Sequence, residues 1–148
     1  MWPFNRKKWE KLGVPFTADQ ASNILNNWLR PHREPDLADR AYRAIPFSDY
    51  QWLLMERQID PTYTAEIWDC DNFTDAALVD VNRAWAEKSR GKEALLHGYI
   101  KGLIKNPDGT NVCHAWVWHI DDKGIGRFIE PQGNIERFGV EYTYALRA

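Results

Sequence analysis

The sequence has no stretch approaching the roughly 18 to 20 apolar residues that a membrane span requires. Its basic, aromatic start, MWPFNRKK, is not followed by the apolar run of a secretory leader. Cysteine is scarce: only Cys70 and Cys113 occur among 148 residues. Two cysteines do not make a disulfide-stapled scaffold, and with no sign of export the expectation is reduced thiols in the cytoplasm. Charge of one sign is also lacking, since 19 Lys and Arg face 21 Asp and Glu for a formal net charge of -2. Neither nucleic acid nor a membrane surface is therefore expected as a partner. Repeats, low-complexity tracts and Gly/Ser linkers are absent, which leaves one domain over 1–148, with a helical N-terminal part (1–60) and a core (61–148). No serine sits in a G-x-S-x-G context, the glycine motifs lack phosphate-loop spacing, and the Cys and His residues lack C-x-x-C spacing.

What is present is core-forming material. The chain is 44% hydrophobic and carries eight Trp, and at this length about two thirds of the unfolded surface can be buried. Thr17 with Gln20 fits a capping box, and Ile24, Leu25, Trp28 and Leu29 continue at helical spacing up to Pro31. A weaker helix is expected over 36–45, and Ser48 with Gln51 suggests another start, leading into YQWLLMERQ and stopped by Pro61. The strongest periodicity follows Cys70: Phe73, Ala76, Ala77, Val81, Ala84 and Trp85 share one helical face. Gly91 is placed to end that helix. From residue 94 the texture becomes strands separated by NPDG, DDKG and GN, an antiparallel meander. Helices followed by a sheet give an α+β fold.

In strand 112–120, alternation sends His114, Trp116, Trp118 and Ile120 to one face and Cys113, Ala115, Val117 and His119 to the other. A tight hairpin at 122–123 would set His114 opposite Glu130 or Pro131, so a carboxylate can meet the imidazole. Such a pair supports general-base chemistry. Cys70 has two readings: a small core thiol, or a nucleophile whose thiolate is favoured by the helix N-terminus and a nearby imidazolium. The flanking Asp69 and Asp71 oppose a thiolate and either cap the helix or hold a cation. A zinc site from Cys70, Cys113, His114 and His119 is disfavoured because these strand residues point to opposite faces. Trp68, Trp116 and Gln132 stand near the expected groove as substrate-binding candidates.

DCDNF before a helix, then CHAWVWHI and FIEPQ, resemble papain-fold cysteine peptidases of the transglutaminase-like type. The nearest likeness is to the protease domain of fungal chimerolectins of the Marasmius oreades agglutinin type, and small phage proteins look similar. This resemblance implies a papain-like fold with a central Cys-bearing helix on an antiparallel sheet, and a catalytic Cys70, His114 and Glu130. It implies a cysteine-dependent hydrolase or acyl transferase acting on amide bonds of a protein or peptide substrate, with calcium as an optional activator through Asp71. The alternative it carries is an inactive papain-like scaffold used as a phage-type binding or inhibitory protein.

Overall fold

The computed structural model describes residues 6–31, 33–55, 70–90, 93–105, 108–130 and 140–147. Among them the chain runs α1 (Arg6–Lys11), β1 (Val14–Thr17), α2 (Ala18–Leu29), β2 (Ala41–Ala44), α3 (Phe47–Met55) and α4 (Cys70–Ser89). There follow β3 (Ala94–Leu95), β4 (His97–Lys105), β5 (Asn111–Ile120), β6 (Gly126–Ile129) and β7 (Val140–Arg147). No helix among the described residues is long and apolar enough to cross a membrane.

The N-terminal punctuation works as chemistry requires. The Thr17 hydroxyl accepts from the Gln20 N–H at 3.2 Å, and the Gln20 side chain accepts from the Thr17 N–H at 2.9 Å. Arg30 closes α2 in a left-handed conformation, donating its N–H to Asn26. The segment 36–45 corrects the expectation of a helix there: 41–44 is a strand, antiparallel to β1 and parallel to β3. Its alternation, with Tyr42 and Ala44 buried and Ala41 exposed, has the strand period, and a tertiary partner decides the outcome. The N-terminal part is therefore not purely helical. α3 begins at Phe47, with the N–H groups of Asp49 and Tyr50 bonded to the Pro46 carbonyl, and Pro61 lies outside the described residues.

The main sheet has the order β6-β5-β4-β7, antiparallel throughout. It is not the simple meander expected, because β7 returns to pair with β4 instead of β6. The hairpin register also differs from the expected one. Val117 faces Ile129 and Ile120 faces Gly126, so extending the ladder one step sets Glu130 opposite Trp116, with His114 diagonal to it. The reason lies in the turn. Asp121 Oδ1 accepts from the N–H groups of Lys123 and Ile125, both at 2.9 Å, and Gly124 takes φ +76, giving a three-residue loop where two were expected.

Over residues 115–120, β5 is buried on both faces. Trp116, Trp118 and Ile120 pack with Leu25 of α2, Tyr42, Ile100 and Phe128. On the other face Val117 packs with Leu53 of α3 and with Ala77, Val81 and Trp85 of α4. The sheet thus lies between α2 with the small sheet on one side and α3 with α4 on the other. Lys88 of α4 is buried with its ammonium 5.0 Å from the Trp52 ring and 6.0 Å from that of Trp9. Arg90, with φ 60, holds the left-handed position after α4; Gly91 lies outside the described residues.

Two substitutions test this packing. A Cβ at Gly126 would run into the Trp28 indole, itself stacked on Phe128 at 4.7 Å, so Gly126→Ala is expected to cost about 1–3 kcal/mol in urea unfolding. Thr17→Ala, which removes the cap alone, is expected to cost about 1 kcal/mol.

Candidate functional site

His114 and Glu130 do meet: Nε2 of the ring and Oε2 of the carboxylate are 2.7 Å apart, with both side chains largely buried and the ring 5.8 Å from that of Trp116. They share the face that packs toward α2. Cys70 begins α4 and is half-buried, and strand alternation turns Cys113 to the face that α4 covers. Trp68, Gln132 and Asp69 lie outside the described residues.

The charge beside Cys70 is also accounted for. Asp71 accepts hydrogen bonds from the Tyr99 hydroxyl at 2.9 Å and the Lys101 ammonium at 3.3 Å. The Asp71 carboxylate holds the Lys101 ammonium above the usual lysine range, with smaller contributions from the Cys113 and Cys70 thiols. Among the described residues no group of three or more His, Cys, Asp or Glu could hold a metal ion.

A cleft opens on the α4 side of the sheet, with a cavity of about 340 Å³. That is at the lower end of the range for small-molecule pockets. Its walls mix apolar surface from Leu78 and Val79 with the polar groups of Asp39, Asp75 and Asn82. Behind it lies a buried chain of aromatic groups. Tyr50 Oη is 2.6 Å from His97 Nδ1, and His97 Nε2 is 2.8 Å from Asn82 Oδ1. His119 stacks on Tyr50 with ring centres 4.1 Å apart. Burial lowers both imidazoles to a pKa of about 3 and raises the Tyr50 phenol well above its ordinary value.

Sequence reasoning missed these residues. His97 sits in LLHGY with no motif around it, and its partners come from α3 and α4, 47 and 15 residues away in the chain. The one available signal was that a histidine in a strongly apolar strand must find a partner.

No known family model matches the chain, and no curated protein matches it. Solved structures do. PSL1a in complex with E64 superposes with a TM-score of 0.75 at 20% identity, covering 91% of this chain and 51% of that one. Polyporus squamosus lectin, bound to the human-type influenza-binding epitope Neu5Aca2-6Galb1-4GlcNAc, superposes with a TM-score of 0.70 at 19% identity, covering 88% and 49%. This chain therefore shares its fold with, and spans about half the length of, the lectin chains it matches.

These lectin neighbours correct the peptidase resemblance and what followed from it: the papain-like fold, the cysteine-dependent hydrolase or acyl transferase, its inactive-scaffold alternative, and the protein or peptide substrate. The physical reason is that three short motifs specify only a helix led by cysteine and two strands. They do not specify connectivity, such as the return of β7 to β4, or which face each strand residue joins.

The buried imidazoles give a pH signature. Both are neutral in the fold down to a pKa of about 3, whereas in the unfolded chain they take up protons near 6.5. Between those values the unfolded state binds more protons, so stability is full above about pH 6.5 and falls as pH drops toward 3. Thermal melts from pH 7.5 to 4 are expected to show this decline. His119→Phe is expected to flatten its slope, and an unchanged slope would mean that His119 is not held neutral.

Proposed function

We propose that this domain binds carbohydrate, in the cleft between α4, β2 and β4. The observation that carries the reading is the fold shared with lectin chains, one of them solved with a bound glycan. The cleft supplies suitable chemistry: Asp39, Asp75 and Asn82 offer hydrogen-bonding groups for hydroxyls, and Leu78 and Val79 offer apolar surface for the C–H face of a sugar ring. Titration calorimetry with a panel of neutral and sialylated oligosaccharides is expected to find at least one ligand in the micromolar to millimolar range. Leu78→Trp, which fills the cleft, is expected to abolish binding with the circular dichroism spectrum unchanged. A panel without binders, or full affinity in the filled variant, would overturn the reading.

One observation favours a second reading, that Cys70 is a reactive thiol beside a small-molecule site: PSL1a was solved with E64. Carried to this chain, the thiol at the α4 N-terminus is the group to test, with His114 and Glu130 as its proposed imidazole and carboxylate. Rapid iodoacetamide labelling of Cys70 at pH 6, slowed by E64 and by His114→Ala, is the expected outcome. Labelling that rises only above pH 8, at the same rate in the variant, removes it.

A further inference from the structure

The cleft's polar lining is held by a buried relay, and the direction of that relay follows from counting donors. Tyr50 is fully buried, and its hydroxyl has the Nδ1 atom of His97 as its hydrogen-bond partner, at 2.6 Å. A buried hydroxyl left without an acceptor for its proton costs about 1–3 kcal/mol, so Tyr50 donates to Nδ1. Nδ1 is then unprotonated, the neutral ring carries its proton on Nε2, and Nε2 donates to Oδ1 of Asn82 at 2.8 Å. With its oxygen engaged from behind, the exposed Asn82 presents its amide N–H groups to the cleft.

Opposite these donors stand acceptors. Asp39 and Asp75 line the same cleft, and among the described residues lining it there is no Lys or Arg. The imidazole behind Asn82 stays neutral at physiological pH, because burial holds its pKa at about 3. A ligand carboxylate would meet carboxylates here with no cation among the described lining residues to pair it, and desolvating it would go unrewarded. Paired hydroxyls, by contrast, accept from Asn82 and donate to the aspartates.

Resting on the carbohydrate reading, we infer that Tyr50 and His97 are positioning residues that fix Asn82 as a donor, so the cleft selects uncharged, hydroxyl-rich sugars over anionic ones. The ligand expected here thus differs in charge class from the sialylated epitope held by the squamosus lectin.

Two measurements test this separately. Nitrogen-15 NMR of the imidazoles in the unliganded protein is expected to show His97 as the Nε2–H tautomer. The Nδ1–H tautomer would overturn the relay whether or not any sugar binds. Titrations with methyl galactoside, N-acetylglucosamine and N-acetylneuraminic acid, followed at the Asn82 side-chain amide, are expected to favour the two neutral sugars. Tyr50→Phe, which keeps the ring and loses the donor, is expected to weaken neutral-sugar binding about fivefold, in keeping with one hydrogen bond. Equal or tighter binding of N-acetylneuraminic acid, or unchanged affinity in Tyr50→Phe, overturns the inference and leaves the carbohydrate reading intact. No binding of any sugar, with the Nε2–H tautomer present, overturns the carbohydrate reading and leaves the relay standing.

Discussion

Burial of β5 on both faces is the constraint on which the rest of the molecule depends. Its buried part divides between two cores, with Trp116, Trp118 and Ile120 committed to the α2 side and Val117 to the α3 and α4 side. A slip of one residue against its neighbours would exchange indoles for small side chains across the whole sheet. The register is held at the Asp121 turn, where one carboxylate gathers two backbone N–H groups on Oδ1 and the Arg127 guanidinium at 2.7 Å on Oδ2. Because Gly126 must admit the Trp28 indole, the same turn also fixes where α2 rests on the sheet.

The alternation that sorts the apolar residues sorts the polar ones too. His97 pairs with His119 across β4 and β5, and both rings enter the layer beneath α3, where Tyr50 is the common neighbour. One ring is anchored through Asn82 to the exposed surface of α4, so a buried polar network reaches a solvent-facing cleft without leaving a charge inside. His114 goes the other way, to the Trp116 face, and finds Glu130 there. The histidine that stands out in a motif and the histidine that organises the cleft are on opposite sides of one sheet.

The start of α4 shows how a local oddity becomes ordinary in three dimensions. Two aspartates flanking Cys70 look unfavourable to a thiolate in one dimension, yet Asp71 is satisfied by Tyr99 and Lys101 from β4. The ammonium that balances it is 30 residues away in sequence.

Local chemistry was legible in the sequence wherever it acts over a few residues. The capping box at Thr17 and Gln20, the amphipathic face from Phe73 to Trp85, the strands after residue 94 and the two-faced pattern of 112–120 follow from propensity and period alone. Even the meeting of His114 with Glu130 was within reach, although by a diagonal contact, because any near-correct hairpin register brings those long side chains together. What the sequence could not determine was every pairing across a long loop: the strand at 41–44, the return of β7 to β4, and the relay from Tyr50 through His97 to Asn82. Those depend on which surfaces close against each other, and a hydrogen bond between groups tens of residues apart leaves no period in the chain. Only the tertiary structure decided them, because burial from both sides chose the partner for each polar group.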